Sequence, residues 1–145
     1  MEFDVASLSV QETYLRMVQL ITPRPIAWVS TLSVDGIPNL APYSFFSGVG
    51  AKPPTLCFSP ANDRHGNPKD TLDNIRRTGE FVVNVVTGPV AQAMHRSADE
   101  LAPEINEFEL TGVEQAESVK VRPPRVKQVV AAMECTLHSA IALGT

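Results

Sequence analysis

The stretch "TPRPIAWVSTLSVDGIPNLAPYSFFSG", residues 22–48, decides the fold. Pro23 and Pro25 stop any helix entering from the left and push the chain into extended backbone. Ile26 to Leu32 is then a run of β-branched and aromatic residues, the composition of a strand. Asp35-Gly36 follows, a pair suited to the positive φ angles of a tight hairpin turn. Leu40 to Ser47 returns as a second strand, interrupted by Pro42. Two antiparallel strands joined by a short turn are therefore the seed of the molecule.

Working outward, residues 9–20 predict a helix. Ser9 can cap it, and Glu12 three residues on completes a capping box. Tyr14, Met17, Val18 and Ile21 fall on one face at helical spacing, which predicts packing against the core. On the other side, "GVGAKPP" reads as a loop and "TLCFSP" as a third strand. "ANDRHGNP" is a polar loop that leads into a helix over 70–78, with Asp70 able to cap and Gly79 able to close the last turn. "EFVVNVVT" has the continuous apolar character of a strand buried on both faces. Residues 88–101 predict a helix with Pro89 at its first position. Residues 102–112 read as an acidic loop, Val113–Val121 as a short strand and "RPPR" as a turn. The alternation around Glu134 to His138 favours a last strand, and the chain ends at "IALGT" in apparent strand material. Several short strands with a few interposed helices predict a mainly β fold, an antiparallel sheet closed or half closed into a barrel, with peripheral helices. Regular βαβ alternation is missing, and Gly48-Val49-Gly50 precedes no helix, so a dinucleotide-binding Rossmann fold does not fit.

The totals bound the function. The chain has 145 residues, which predicts one domain over 1–145. A net charge of −4 leaves no basic face to neutralise a nucleic-acid backbone. The two cysteines, Cys57 and Cys135, lie far apart in apolar stretches and are read as buried thiols of a reducing compartment. The N-terminus has two acids and no basic region before an apolar run, unlike a signal peptide, and no apolar run approaches the ~20 residues of a membrane span. A cytoplasmic protein is the expectation.

Two clusters can carry chemistry. The first surrounds the start of the predicted helix at 70–78, where Arg64, His65, Lys69, Asp70 and Thr71 gather. A helix N-terminus offers free N–H groups and a partial positive charge to an anion. Lys69 adds a charge, Arg64 a bidentate donor and Thr71 a hydroxyl. Asp70 is acceptor-only and suits a cap or a hydroxyl better than a phosphate. A solvated loop followed by a capped helix accounts for the same residues. The second cluster is Ser30, Thr31, Asn39, Ser44 and Ser47 in the hairpin, small polar groups that can bond the edge of a flat heterocycle. Strand alternation at a solvent face produces the same pattern. His65 and His95 read mainly as exposed residues and Trp28 as core. No catalytic triad, paired carboxylate site or metal motif stands out.

The motifs "ITPRPIAWVSTLSVDGIPNLAPYSFFSGVGAKPPTLCFS", "KDTLDNIRRTGEFVVNVV", "PPRV" and "MECTL", in that order, closely resemble the flavin reductase-like family, whose domain is the FMN-binding split β-barrel. The resemblance runs from about residue 20 to at least 137. It implies an antiparallel split β-barrel whose final strands lie beyond residue 145; a chain that ends in strand material has either a barrel incomplete at the C-terminus or a last edge covered by another subunit. It implies a homodimer binding FMN, with NADH or NADPH as electron donor. By position it implies Ser30 and Thr31 beside the isoalloxazine ring and Asn39, Ala41 and Ser44 at the ring's polar edge. Arg64, Lys69 and Thr71 fall at the phosphate, with Asp70 nearby. The implied activity is hydride transfer from the nicotinamide to flavin. An FMN-binding electron carrier or storage module and a structural dimer with a vestigial pocket are the alternatives. No nucleic acid and no membrane enter the expected partners.

Overall fold

A computed structural model describes residues 2–63, 65–99, 101–102 and 104–143. After a 3-10 turn at Val5–Ser7, helix α1 spans Val10–Leu20. Its start is the expected capping box: Ser9 Oγ accepts from the Glu12 amide at 3.2 Å, and the Glu12 carboxylate accepts from the Ser9 amide at 2.9 Å. The predicted core packing of this helix is not found. None of its residues is buried, and Tyr14, Met17, Leu20 and Ile21 beyond its end are all exposed. The amphipathic pattern predicted an apolar face correctly, but the chain's own sheet does not cover that face.

Strands β1 (Ala27–Leu32) and β2 (Pro38–Tyr43) form the expected hairpin, in antiparallel register with Ala27 opposite Tyr43 and Thr31 opposite Asn39. Gly36 takes φ +85° at the turn, and its amide donates to Ser33 O. The expected single strand over Leu40–Ser47 is two. The chain bends at Ser44 and Phe45, and β3 (Phe46–Ala51) leaves to pair with β4 (Pro54–Phe58) in a separate sheet. Part of the predicted loop "GVGAKPP" is therefore strand, with a register shift between Gly48 and Gly50.

Helix α2 is Asp70–Thr78, closed by Gly79 in the left-handed region at φ +73°. Strand β5 (Glu80–Val85) follows, buried along its middle as predicted. The helix expected over 88–101 is shorter: a 3-10 turn at Gly88–Val90, then α3 over Ala91–Arg96. The expected acidic loop contains helix α4 (Glu107–Thr111), capped by Asn106 and ended by Gly112 at φ +75°. Strands β6 (Gln115–Ala116) and β7 (Arg125–Val126) pair with each other, so the strand predicted over Val113–Val121 shrinks to two residues. Strand β8 is Ala132–Thr136.

The main sheet has the order β2-β1-β5-β8, antiparallel throughout. Ala27, Val29, Tyr43, Phe81 and Val83 on one face pack with Ile75 of α2. Trp28 and Leu40 on the other face pack with Val90, Phe108, Val113 and Val126. The three sheets do not close on one another, the open arrangement of a split barrel. Strand β2 is the edge of the main sheet, and its outward positions are managed one by one. Pro38 and Pro42 have no N–H to offer, and the Leu40 N–H, between them in parity, is taken by Glu107 Oε2 at 3.0 Å. An edge treated in this way cannot template another strand.

The two cysteines are not both buried. Cys57 on the β3–β4 ribbon is exposed, and Cys135 on β8 is half-buried; both are free thiols. Among the described residues no helix is long and apolar enough to cross a membrane.

Candidate functional site

A cavity of about 220 Å³ lies over the β2 edge, between the start of α2 and the segment linking α3 to α4. Asn39, Ala41 and Tyr43 form its floor. Asp63, Pro68, Lys69, Asp70 and Thr71 form one wall, and Ser97, Asp99, Leu101 and Glu107 the other. Local sequence explains each wall. Asp63 shapes the loop before α2: its Oδ1 accepts from the amides of His65 and Asn67, both at 2.8 Å, which holds its carboxyl below the usual range. The loop delivers Lys69 as the residue before α2. Lys69, not Asp70, occupies the N-cap position, and no side chain caps the helix. The amides of Leu72 and Asp73 fold back to Lys69 O, while those of Asp70 and Thr71 have no acceptor among the described residues.

A buried polar network stands behind this helix start. Asn39 Nδ2 donates to Thr71 Oγ1 at 2.8 Å and to Thr31 Oγ1 at 3.3 Å, and Asn74 Nδ2 donates to Thr31 Oγ1 at 3.1 Å. Thr31 and Thr71 are at most 1% exposed. The network fixes Thr71 against the β1–β2 hairpin. Beside it the Tyr43 hydroxyl is buried with no partner of good hydrogen-bond geometry among the described residues. Burial pushes that phenol up to about 12, with Thr71 pulling the other way, so Tyr43 stays protonated and can donate.

The opposite wall is acidic. Glu107 is 7% exposed, and burial raises its carboxyl above the usual range, with the charge of Asp70 adding to the effect. Across the cavity, on the Lys69 wall, burial likewise raises Asp70, with Asp73 and Glu104 contributing. Lys69 is the one cation among the described lining residues.

The structure thus brings together Asn39, Ala41, Lys69, Asp70 and Thr71 at one cavity, with Thr31 directly behind them. Ser30 is elsewhere. Adjacent residues of a strand point to opposite faces, and the Ser30 hydroxyl donates to Pro124 O and accepts from Asn84 Nδ2 at 3.2 Å on the far side of the sheet. Ser44 sits at the bend between β2 and β3, outside the cavity lining. Arg64 lies outside the described residues. His65 and His95 are exposed, and Trp28 is fully buried with its indole N–H donated to Ser97 Oγ at 2.8 Å. Tyr43, Asp63, Ser97, Asp99 and Glu107 were missed by sequence reasoning. For Glu107 a signal existed: Asn106 and Glu109 stand three apart ahead of Gly112, the marks of a short capped helix.

Comparison with known proteins supplies the context. The flavin reductase like domain matches residues 19–145. An uncharacterised protein of Aquifex aeolicus (strain VF5) is 42% identical over 97% of this chain, which spans 72% of that relative. The crystal structure of nitrilotriacetate monooxygenase component B from Bacillus cereus superposes with a TM-score of 0.95 at 34% identity, covering 100% of this chain and 71% of that one. A split barrel domain structure from Shewanella frigidimarina NCIMB 400 shares the fold, with a TM-score of 0.81 at 22% identity over 96% of this chain and 69% of its own. The match over nearly the whole chain, with the open antiparallel architecture, places this chain in the flavin reductase-like family.

Proposed function

We propose that the chain binds FMN at the β2-edge cavity and serves as an FMN-dependent oxidoreductase whose flavin is reduced by NADH or NADPH. The observation that carries this reading is the meeting of unused donors at one end of the cavity. The amides of Asp70 and Thr71, the Lys69 ammonium and the unpartnered Tyr43 hydroxyl all stand there. Together they fit a phosphomonoester, which takes charge-assisted bonds from cations and from a helix start. Asn39 and Ala41 on the floor fit the polar edge of a ring system.

When bound, the flavin would supply the redox chemistry. The residues of the chain bind, orient and exclude water. The network of Thr31, Asn39, Thr71 and Asn74 holds the phosphate end rigid, so the ring is presented at a fixed depth. We propose further that the chain works as a homodimer, supported by the uncovered apolar face of α1, and in a reducing cytoplasm, supported by two free thiols.

The test is a titration of the purified chain with FMN followed by anaerobic addition of NADH or NADPH. Protein-dependent bleaching of the flavin absorbance supports the oxidoreductase; tight binding without bleaching identifies an electron carrier or store. The double variant Lys69→Ala/Thr71→Ala should weaken FMN binding by at least a few kcal/mol, at about 1.5–3 kcal/mol for each charge-assisted bond. An unchanged dissociation constant refutes the site. Sedimentation at micromolar concentration checks the dimer.

A further inference from the structure

Four carboxylates line the cavity beside Lys69: Asp63 and Asp70 flank it on the α2 wall, and Asp99 and Glu107 stand on the opposite wall. Glu107 stands apart from the other three, because only it is buried to 7% exposure while facing the cavity. One of its oxygens, Oε2, accepts from the Leu40 amide, and the Glu107 amide itself also lies by the carboxyl; Oε1 takes no hydrogen bond from any other described residue. A buried carboxylate with an open oxygen at a cavity is an acceptor that lacks its donor. A second buried group at the same cavity, the Tyr43 hydroxyl, is also unpartnered. The unused donors and Lys69 thus stand at the α2 end, beside Asp63 and Asp70, and the charged groups of the opposite wall, among the described lining residues, are Asp99 and Glu107.

Resting on the reading of the cavity as a flavin site, we infer that Glu107 is a specificity-determining residue that accepts a hydrogen bond from a hydroxyl of the ligand's polyol chain and disfavours any phosphate beyond the first. A sugar-alcohol hydroxyl brings the donor that Oε1 lacks. A pyrophosphate brings acceptors and two negative charges to a wall that already holds carboxylates, and the low local dielectric strengthens that repulsion. The ligand class selected is a flavin with a single phosphate over a flavin dinucleotide.

Glu107→Gln isolates this role from the structural one, because the glutamine carbonyl can still accept from the Leu40 amide. The purified full chain and this variant are titrated with FMN, riboflavin and FAD by quenching of flavin fluorescence, at low salt and again at 0.5 M sodium chloride, with thermal unfolding recorded for both. The wild type should prefer FMN to FAD, and the ratio of the two dissociation constants should fall about tenfold in the variant. The effect should shrink at high salt, because screening acts on the repulsion. Riboflavin, which has the hydroxyls and no phosphate, should bind the variant more weakly than it binds the wild type. An unchanged FMN-to-FAD ratio in a variant of wild-type melting temperature overturns the inference while leaving the flavin site intact. A wild type that binds no flavin overturns both. Should the variant unfold early, Asp99→Asn at the exposed rim of the same wall gives the second measurement: a smaller fall in the same ratio supports wall repulsion, and no fall refutes it.

Discussion

Replacing Thr31 with valine tests whether the buried polar network holds the molecule and its cavity together. The substitution keeps the shape of the side chain and removes one acceptor. Asn74 Nδ2 then loses its bond of 3.1 Å and is left buried, while Asn39 Nδ2 loses a marginal contact of 3.3 Å and keeps Thr71 at 2.8 Å. A buried donor without an acceptor costs about 1–3 kcal/mol; the long contact adds little. The methyl that replaces the hydroxyl returns roughly 0.8 kcal/mol by burial. The net expectation is a loss of about 1–2 kcal/mol. With a urea dependence of about 1–3 kcal/mol per molar for a small protein, the unfolding midpoint should fall by roughly 1 M. The assay is urea titration followed by circular dichroism. FMN affinity should fall as well, because Asn39 and Thr71 line the cavity. Ser30→Ala, one residue away on the opposite face, should leave FMN affinity near the wild-type value. A Thr31→Val midpoint within about 0.2 M of wild type, at an unchanged slope, refutes the reasoning, because the network then contributes no measurable stability.

Two further outcomes follow from groups far from the cavity. Glu134 holds the loop after β6 by accepting from the amides of Val119 and Lys120, and Glu80 accepts from the Arg122 amide and side chain. These bonds lower both carboxyl pKa values, so the stabilisation is complete above the ordinary glutamate value of about 4.3 and is lost as pH falls through the lowered folded values. The amide proton resonances of Val119 and Lys120 should titrate in that acid window, and Glu134→Gln should abolish the transition. Alkylation by iodoacetamide at pH 8, read by peptide mass spectrometry, should label exposed Cys57 well before Cys135, whose thiol burial pushes up to about 11; equal rates would contradict the packing around β8.

The parts of the fold that could be read from sequence are those fixed by local chemistry. Ser9 with Glu12, Gly36 and Gly79 each need a particular backbone or a particular bond, and each is found in place; Asp35 does not share the positive φ of Gly36. The apolar stretch of β5 also read correctly, because burial on both faces leaves no polar alternation. The failures arise where long-range packing decides. The break between β2 and β3 has only Pro42 as a local mark, and beyond it Phe46 pairs with Phe58 across the second ribbon, a partner distant in sequence. The apolar face of α1 gives no clue in sequence to what it meets. Helix α4 was hidden because Glu107 and Glu109 read as solvent-facing, whereas the Leu40 amide draws Glu107 inward. At the site, the residue types were legible but not their direction: Ser30 and Thr31 are neighbours in sequence and face opposite sides of the sheet. That parity depends on which face of the sheet α2 covers, which only the fold decides.

The indole of Trp28 makes the molecule its own optical probe. It is the only tryptophan of the chain, and its N–H is tied to Ser97, a residue of the cavity wall. Any displacement of that wall stretches or breaks the bond and changes the emission maximum and lifetime of a fluorophore that bulk solvent never touches. Occupancy of the cavity can therefore be followed in real time in the unlabelled protein, by exciting one ring and watching its colour.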